Sequence, residues 1–262
     1  MGIAANGSLY FKARVINPSG QNIGLAVLKQ EGGEVTVEIA PGQVIDGASL
    51  GNFEADVTDV NGAGDFVVRT DVGGGDLIKS VGGDLSAVIL NGGMAPGIDD
   101  PLGFFSNADI NANGDVAFFA TNRDNAACNA IVECGIFAEM NGELGLVAKR
   151  GDTIEIAPDD FRTISVLGIS ERGGFLNDLG QIAFLAMFSG PDNPGLGDTQ
   201  AWIIASPTCG PAPIPLPASG LLLIAGIASL TIFKTRRRES LLRMKAYRAV
   251  WAPALNTCAE LC

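Results

Sequence analysis

Upstream of residue 207 the hydrophobic residues arrive in short runs set off by polar, glycine-containing turns. Residues 116–120, Val-Ala-Phe-Phe-Ala, follow Asn111-Ala112-Asn113-Gly114-Asp115, a turn in which Asn and Gly supply the positive φ angles that other residues resist. A short apolar run entered from such a turn predicts a β-strand. A second turn signal, Gly-Glu-Leu or Gly-Asp-Leu, predicts a hairpin tip, as between strand-like residues 136–139 and 144–149. Residues 104–110 and 163–170 are the candidates for a fourth strand in their units.

Both signals recur, which makes the pattern an internal repeat. The turn and its following strand appear as residues 3–11, 60–68, 110–118 and 176–184, with aligned glycines Gly7, Gly64, Gly114 and Gly180 separated by 57, 50 and 66 residues. Such uneven spacing implies variable loops on a fixed framework. The hairpin signal appears as Gly33-Glu34-Val35, Gly83-Asp84-Leu85 and Gly142-Glu143-Leu144, each followed nine positions on by Gly42, Gly92 or Gly151. In the fourth copy, residues 201–205 match the strand at 135–138. The expected body is therefore all-β, spanning 1–206, with copies near 3–59, 60–109, 110–175 and 176–206. Three or four strands per unit suggest a β-propeller-like architecture, with a β-sandwich as the alternative.

The tail departs from this pattern. A Pro-rich linker at 207–217 leads into an uncharged apolar run at 218–233, 16 residues that reach about 24 Å as a helix. That is short for a bilayer core of about 30 Å, but Lys234 and Arg236 can snorkel and Ile214 and Leu216 extend the run. The run is apolar on every face, favouring a single C-terminal transmembrane helix over a buried core helix. Lys234, Arg236, Arg237 and Arg238 form a basic stop that places 234–262 in the cytoplasm and the body outside. Charge follows the same division: residues 1–217 hold 27 Asp and Glu against 10 Lys and Arg, net −17, while 234–262 hold 7 basic against 2 acidic residues, net +5. So acidic a body is a poor partner for nucleic acid.

Candidate chemistry is sparse. Without any His, triads and metal sites that need imidazole are excluded. Cys128 and Cys134, six residues apart, are candidates for a small disulfide loop in an extracytoplasmic body, whereas two thiols are too few for a structural zinc. Asp109, Asn111, Asn113 and Gly114 match the opening of a calcium loop, but Ala120 stands where an EF-hand places its bidentate Glu, so a structural turn is preferred to Ca²⁺. Asp99 with Asp100, Asp159 with Asp160, and Glu54 with Asp56 are candidate carboxylate pairs for glycosidase-like chemistry, with solvated loop charges as the plainer reading. Gly73-Gly74-Gly75 lacks the Lys and Ser or Thr of a phosphate loop.

Two resemblances rest on these residues. Asn111-Ala112-Asn113-Gly114-Asp115-Val116-Ala117-Phe118, with residues 177–184 beside it, resembles the NxxGxxAF tandem repeats of bacterial surface proteins. Ile214-Pro215-Leu216-Pro217-Ala218, with the apolar span and arginine cluster, resembles a VPLPA-type member of the PEP-CTERM sorting signals. The second resemblance implies processing by an exosortase-type membrane protease in exopolysaccharide-producing Gram-negative bacteria. The protein would then pass from the inner membrane to the cell surface or medium. It also implies a secretory leader, whereas Met1-Gly2-Ile3 enters directly into a repeat strand, so a longer precursor is expected. Such signals end soon after the basic cluster. Residues 239–262 continue further, either as a helix on the membrane surface or as the product of an altered reading frame. The expected function is a noncatalytic surface or biofilm-matrix protein with an exopolysaccharide or surface-protein partner. A secreted, carboxylate-based propeller enzyme acting on glycans is the alternative.

Overall fold

A computed structural model of the chain describes residues 1–46, 48–49, 56–70, 75–122, 128, 132–169, 173–190 and 193–206. The body is all-β, and among the described residues there is no helix. Two compact units are present: 1–154 with 161–207, and 155–160 with 208–262. Of the second unit only 155–160 is described, a strand end and the turn after it, in which the Asp159 amide donates to Glu155. The sorting motif Ile214 to Ala218, the apolar span 218–233 and the basic stop at Lys234 and 236–238 lie outside the described residues. Among the described residues no helix is long and apolar enough to cross a membrane.

The strands form four successive four-stranded antiparallel sheets and one two-stranded ribbon. Sheet 1 comprises β1 (Gly2–Ile3), β2 (Leu9–Ile16), β3 (Asn22–Glu31) and β4 (Glu34–Ile39), and β5 (Val44–Ile45) with β6 (Ala48–Ser49) make the ribbon. Sheet 2 is built of β7 (Asp56–Val60), β8 (Phe66–Arg69), β9 (Leu77–Val81) and β10 (Asp84–Ile89). Sheet 3 has β11 (Phe104–Ile110), β12 (Val116–Thr121), β13 (Cys134–Met140) and β14 (Glu143–Lys149). Sheet 4 contains β15 (Thr153–Ala157), β16 (Asp160–Gly168), β17 (Ile182–Gly190) and β18 (Asn193–Ala205). Every sheet is a simple meander, so each strand pairs with its neighbour in sequence.

Both sequence signals land on turns. Gly32-Gly33, Gly82-Gly83 and Asn141-Gly142 form the tips of the β3–β4, β9–β10 and β13–β14 hairpins, all at positive φ. The Asn-Gly element precedes β2, β8, β12 and β17, but the strand before it belongs to the same sheet, so sheet boundaries fall earlier than copy boundaries drawn at the turn. Sheet 4 shifts further: its turn joins β16 to β17, its second and third strands, because β15 adds a strand ahead of the unit. The expected match of residues 201–205 to 135–138 holds in the pairing, since Phe184 faces Ile203 as Phe118 faces Phe137.

Side-chain alternation along the strands explains the stacking. Phe66 and Val68 of β8 join Tyr10, Val27 and Ile39 of sheet 1 in one core, while Val67 on the opposite face joins Phe105, Phe118 and Phe137 of sheet 3 in another. With both faces covered, β8 is buried at all four positions and loses the polar alternation of a solvated strand. Phe118 stacks on Phe137 at 5.6 Å and meets Phe105 edge-on at 5.9 Å.

Candidate functional site

The recurring chemistry of this chain lies in its turns. In turns beginning at Asn61, Asn111 and Asn177 the first asparagine uses its whole side chain: Oδ1 accepts the amides two and four residues on, and Nδ2 donates to the side chain four residues on. The backbone closes the same frame, with the glycine amide donating to the asparagine carbonyl at 2.9–3.1 Å. Such a loop needs a left-handed residue at its fourth position, and Gly64, Gly114 and Gly180 hold φ of 93°, 80° and 72° there. A side chain at Gly64 would also meet the Tyr10 hydroxyl at 2.8 Å.

Successive turns are hydrogen-bonded to one another. Asn61 Nδ2 donates to the Asn111 carbonyl at 2.8 Å, and Asn111 Nδ2 donates to the Asn177 carbonyl at 3.2 Å. At the first junction the Ala5 amide donates to the Gly62 carbonyl at 3.1 Å. Two aspartates, each two residues ahead of its asparagine, add a parallel row. Asp59 Oδ2 accepts the Ile110 amide at 3.0 Å, and Asp109 Oδ2 accepts the Phe175 and Leu176 amides at 2.6 and 3.1 Å. Sheet 1 has Gly2 at this position, where any Cβ would stand 2.1 Å from Val60 Cγ2. Close approach of β1 to β7 thus explains the missing carboxylate.

Asp109 is 1% exposed and its Oδ1 has no hydrogen-bond partner. Burial pushes its carboxyl up, to about 6, against the pull of the Phe175 and Leu176 amides, and the charge of Asp59 pushes the same way. Ion pairs reinforce the junctions. Lys79 of sheet 2 bonds Glu139 and the Gly114 carbonyl of sheet 3, and Lys12 of sheet 1 pairs with Asp56 of sheet 2 at 2.5 Å. Arg69 donates to the Phe105 carbonyl at 2.8 Å.

The candidate calcium residues fall on this ladder. Asp109 binds amides of the next repeat, Asn111 serves its own turn and Asn177, and Asn113 Nδ2 donates to the Asp178 carbonyl at 3.1 Å. Their polar atoms build the framework. Among the described residues no cluster of His, Cys, Asp and Glu is arranged to hold a metal ion. Cys128 and Cys134 are joined in a disulfide with a Cα–Cα distance of 5.6 Å. Of the carboxylate pairs, Asp100 accepts from Asn122, the Asp99 amide donates to Glu133, and Asp56 is taken by Lys12 and Arg69. Asp159 sits at φ 62° in the turn before β16, and Glu54 lies outside the described residues.

Sequence reasoning missed two parts of the ladder and one turn of the same kind outside it. Asn17 opens a turn with the same Oδ1 and Nδ2 hydrogen bonds between β2 and β3, away from the repeat phase. Asp59 and Asp109 stand just ahead of repeat windows that open at Val60 and Ile110, and the matched Asp-Val-Asn and Asp-Ile-Asn triplets were the available signal. The Lys79–Glu139 pair joins residues 60 apart and leaves no local trace.

A family model matches residues 1–191, which take in the first three sheets and the strands β15, β16 and β17 of the fourth. The chain belongs to DUF7453, a family of unknown function. No curated protein matches this DUF7453 chain.

Proposed function

We propose that this DUF7453 protein is a noncatalytic, exported surface or biofilm-matrix protein whose four sheets are the blades of a propeller-like stack. The observation that carries the reading is the ladder. At corresponding positions in successive repeats, the side chains of Asn61, Asn111, Asp59 and Asp109 are committed to joining one repeat to the next. Polar residues that recur in order to hold a scaffold together leave binding to the loops that vary between copies. The Cys128–Cys134 disulfide fits an oxidising compartment outside the cytoplasm.

In this reading the Ile214-Pro215-Leu216-Pro217-Ala218 motif, the span 218–233 and the stop at Lys234, Arg236, Arg237 and Arg238 form a PEP-CTERM-like signal. An exosortase-type membrane protease processes it, taking the protein from the inner membrane to the surface, where exopolysaccharide or another surface protein is the partner. Two measurements test the proposal. Replacing Pro215 and Pro217 in a host carrying such a protease is expected to change the mature mass and abolish surface anchoring, and an unchanged mass and location would remove the sorting role. Incubating the full chain with bacterial exopolysaccharides is expected to give binding without cleavage. Turnover abolished by one carboxylate substitution would replace the scaffold with a glycan-active enzyme.

A further inference from the structure

The repeat register exposes a mismatch at the two ends of the stack. Counting from the first residue of each turn, positions five and seven point toward the preceding sheet: Phe66 and Val68 do so in sheet 2, Val116 and Phe118 in sheet 3. The corresponding residues of β17, Ile182 and Phe184, are likewise buried. In sheet 1 these positions are Leu9 and Phe11, and both are only half-buried. Across the sheet Phe11 faces Leu28 and Leu28 faces Val37, which is 60% exposed. An apolar face thus occupies the place where every other repeat meets its predecessor.

The opposite end has the complementary feature. Position six points toward the following sheet, as Tyr10 and Val67 show. In β17 that face carries Ala183, Leu185 and Met187, which continue across the sheet into Ile204 and Trp202, 63% and 65% exposed. The ladder stops here too. Among the described residues Asn177 Nδ2 donates to Gln181 and to no following turn, and the 4–8 turn receives no asparagine from a preceding one.

We propose that the protein assembles head to tail, the outward face of sheet 4 in one copy packing on the outward face of sheet 1 in a second copy of this chain. Three observations select a second copy as the occupant. The head face uses the residue positions that receive a preceding sheet in sheets 2 and 3, and the tail face uses those that receive a following one. The row that runs from Asn61 to Asn111 to Asn177 stops there among the described residues, and the 4–8 turn is the counterpart that would continue it. Both faces are apolar, so mutual burial removes Phe11, Val37, Trp202 and Ile204 from water together. A heterologous contact of this kind generates a ring or an open filament according to its rotation. The inference rests on the stacking of the sheets and not on export or processing.

Light scattering and sedimentation of the full chain in mild detergent test it. The mass of the unaltered chain is expected to rise with concentration across about a hundredfold range. Val37→Lys at the head and Trp202→Glu at the tail alter residues already more than half exposed, so circular dichroism is expected to show the same strand content in both. Each variant alone is expected to remain monomeric. Mixed, they retain one intact junction between the tail of the first and the head of the second, and are expected to stop at a 1:1 dimer. A chain monomeric at every concentration overturns the proposal, whether the faces close on each other or are covered by another segment. Association that survives either substitution, as through 218–233, or a mixture that stays monomeric, overturns it as well.

Discussion

Phe118 and Phe11 stand seven residues after the first residue of their turns, on the same face of equivalent strands. Phe118 is fully buried because sheet 2 covers it, whereas Phe11 is half-buried, with no other sheet of the described residues in its core cluster. The inner sheets 2 and 3 and the outer sheets 1 and 4 therefore share a local plan and differ in neighbours. Turns, hairpins and strand polarity belong to a single repeat, but the depth of the core belongs to the pair. In such a series of sheets, stability resides in the interfaces between them as much as in the sheets themselves.

Removing the equivalent aromatics is the strongest challenge to the comparison. Phe118→Ala deletes a ring packed between Phe105 and Phe137 and is expected to cost about 4 kcal/mol, while Phe11→Ala costs about 1 kcal/mol in the monomer. Denaturant unfolding of the full chain at low concentration measures both, and equal losses would show that the two ends of the stack are covered alike. A smaller separation is expected between asparagines. Asn111→Ala removes the buried turn bonds and the link to Asn177, costing about 3 kcal/mol, whereas Asn17→Ala opens an exposed turn with no bond to another repeat and costs about 1 kcal/mol. Comparable losses in thermal or chemical unfolding would mean that the ladder adds nothing beyond its turns.

The smallest effect sharpens the junction between sheets 3 and 4. Asp109 titrates in the folded chain at about 6, above the usual carboxylate value of about 3.9. Between those values the folded chain holds the proton that the unfolded chain has lost. The contribution of this group is therefore fully present below about pH 4, declines as pH rises through about 6, and is level above that. Asp109→Asn keeps an acceptor for the Phe175 and Leu176 amides and removes the titration. Stability curves from pH 4 to 7 are expected to lose a decline of about 2 kcal/mol in the variant. A slope that persists would assign the decline to another group.

Much of the plan is legible in the sequence because its causes are local. Gly64, Gly114 and Gly180 are visible as the residues that hold a left-handed fourth position, and Gly32-Gly33 or Asn141-Gly142 as hairpin tips. Strand 104–110 is entered as expected because its apolar residues sit directly before a turn. The calcium-like spacing of Asp109, Asn111 and Asn113 is equally local, yet these side chains find their partners in Phe175, Asn177 and Asp178, more than sixty residues on. No short-range pattern carries that information. Nor does it carry the strand β15, which joins a sheet ahead of the unit it precedes.

By itself the sequence determined where the chain turns, which residues alternate along each strand, and how often the plan recurs, since backbone sterics and side-chain period act within a few residues. Only the tertiary structure decided which face of each strand is covered, which aspartates become bridges, and which apolar side chains stay exposed. Those outcomes depend on what another part of the chain brings alongside. Burial and hydrogen bonding between repeats are properties of that contact, and neither residue of a contact encodes it alone.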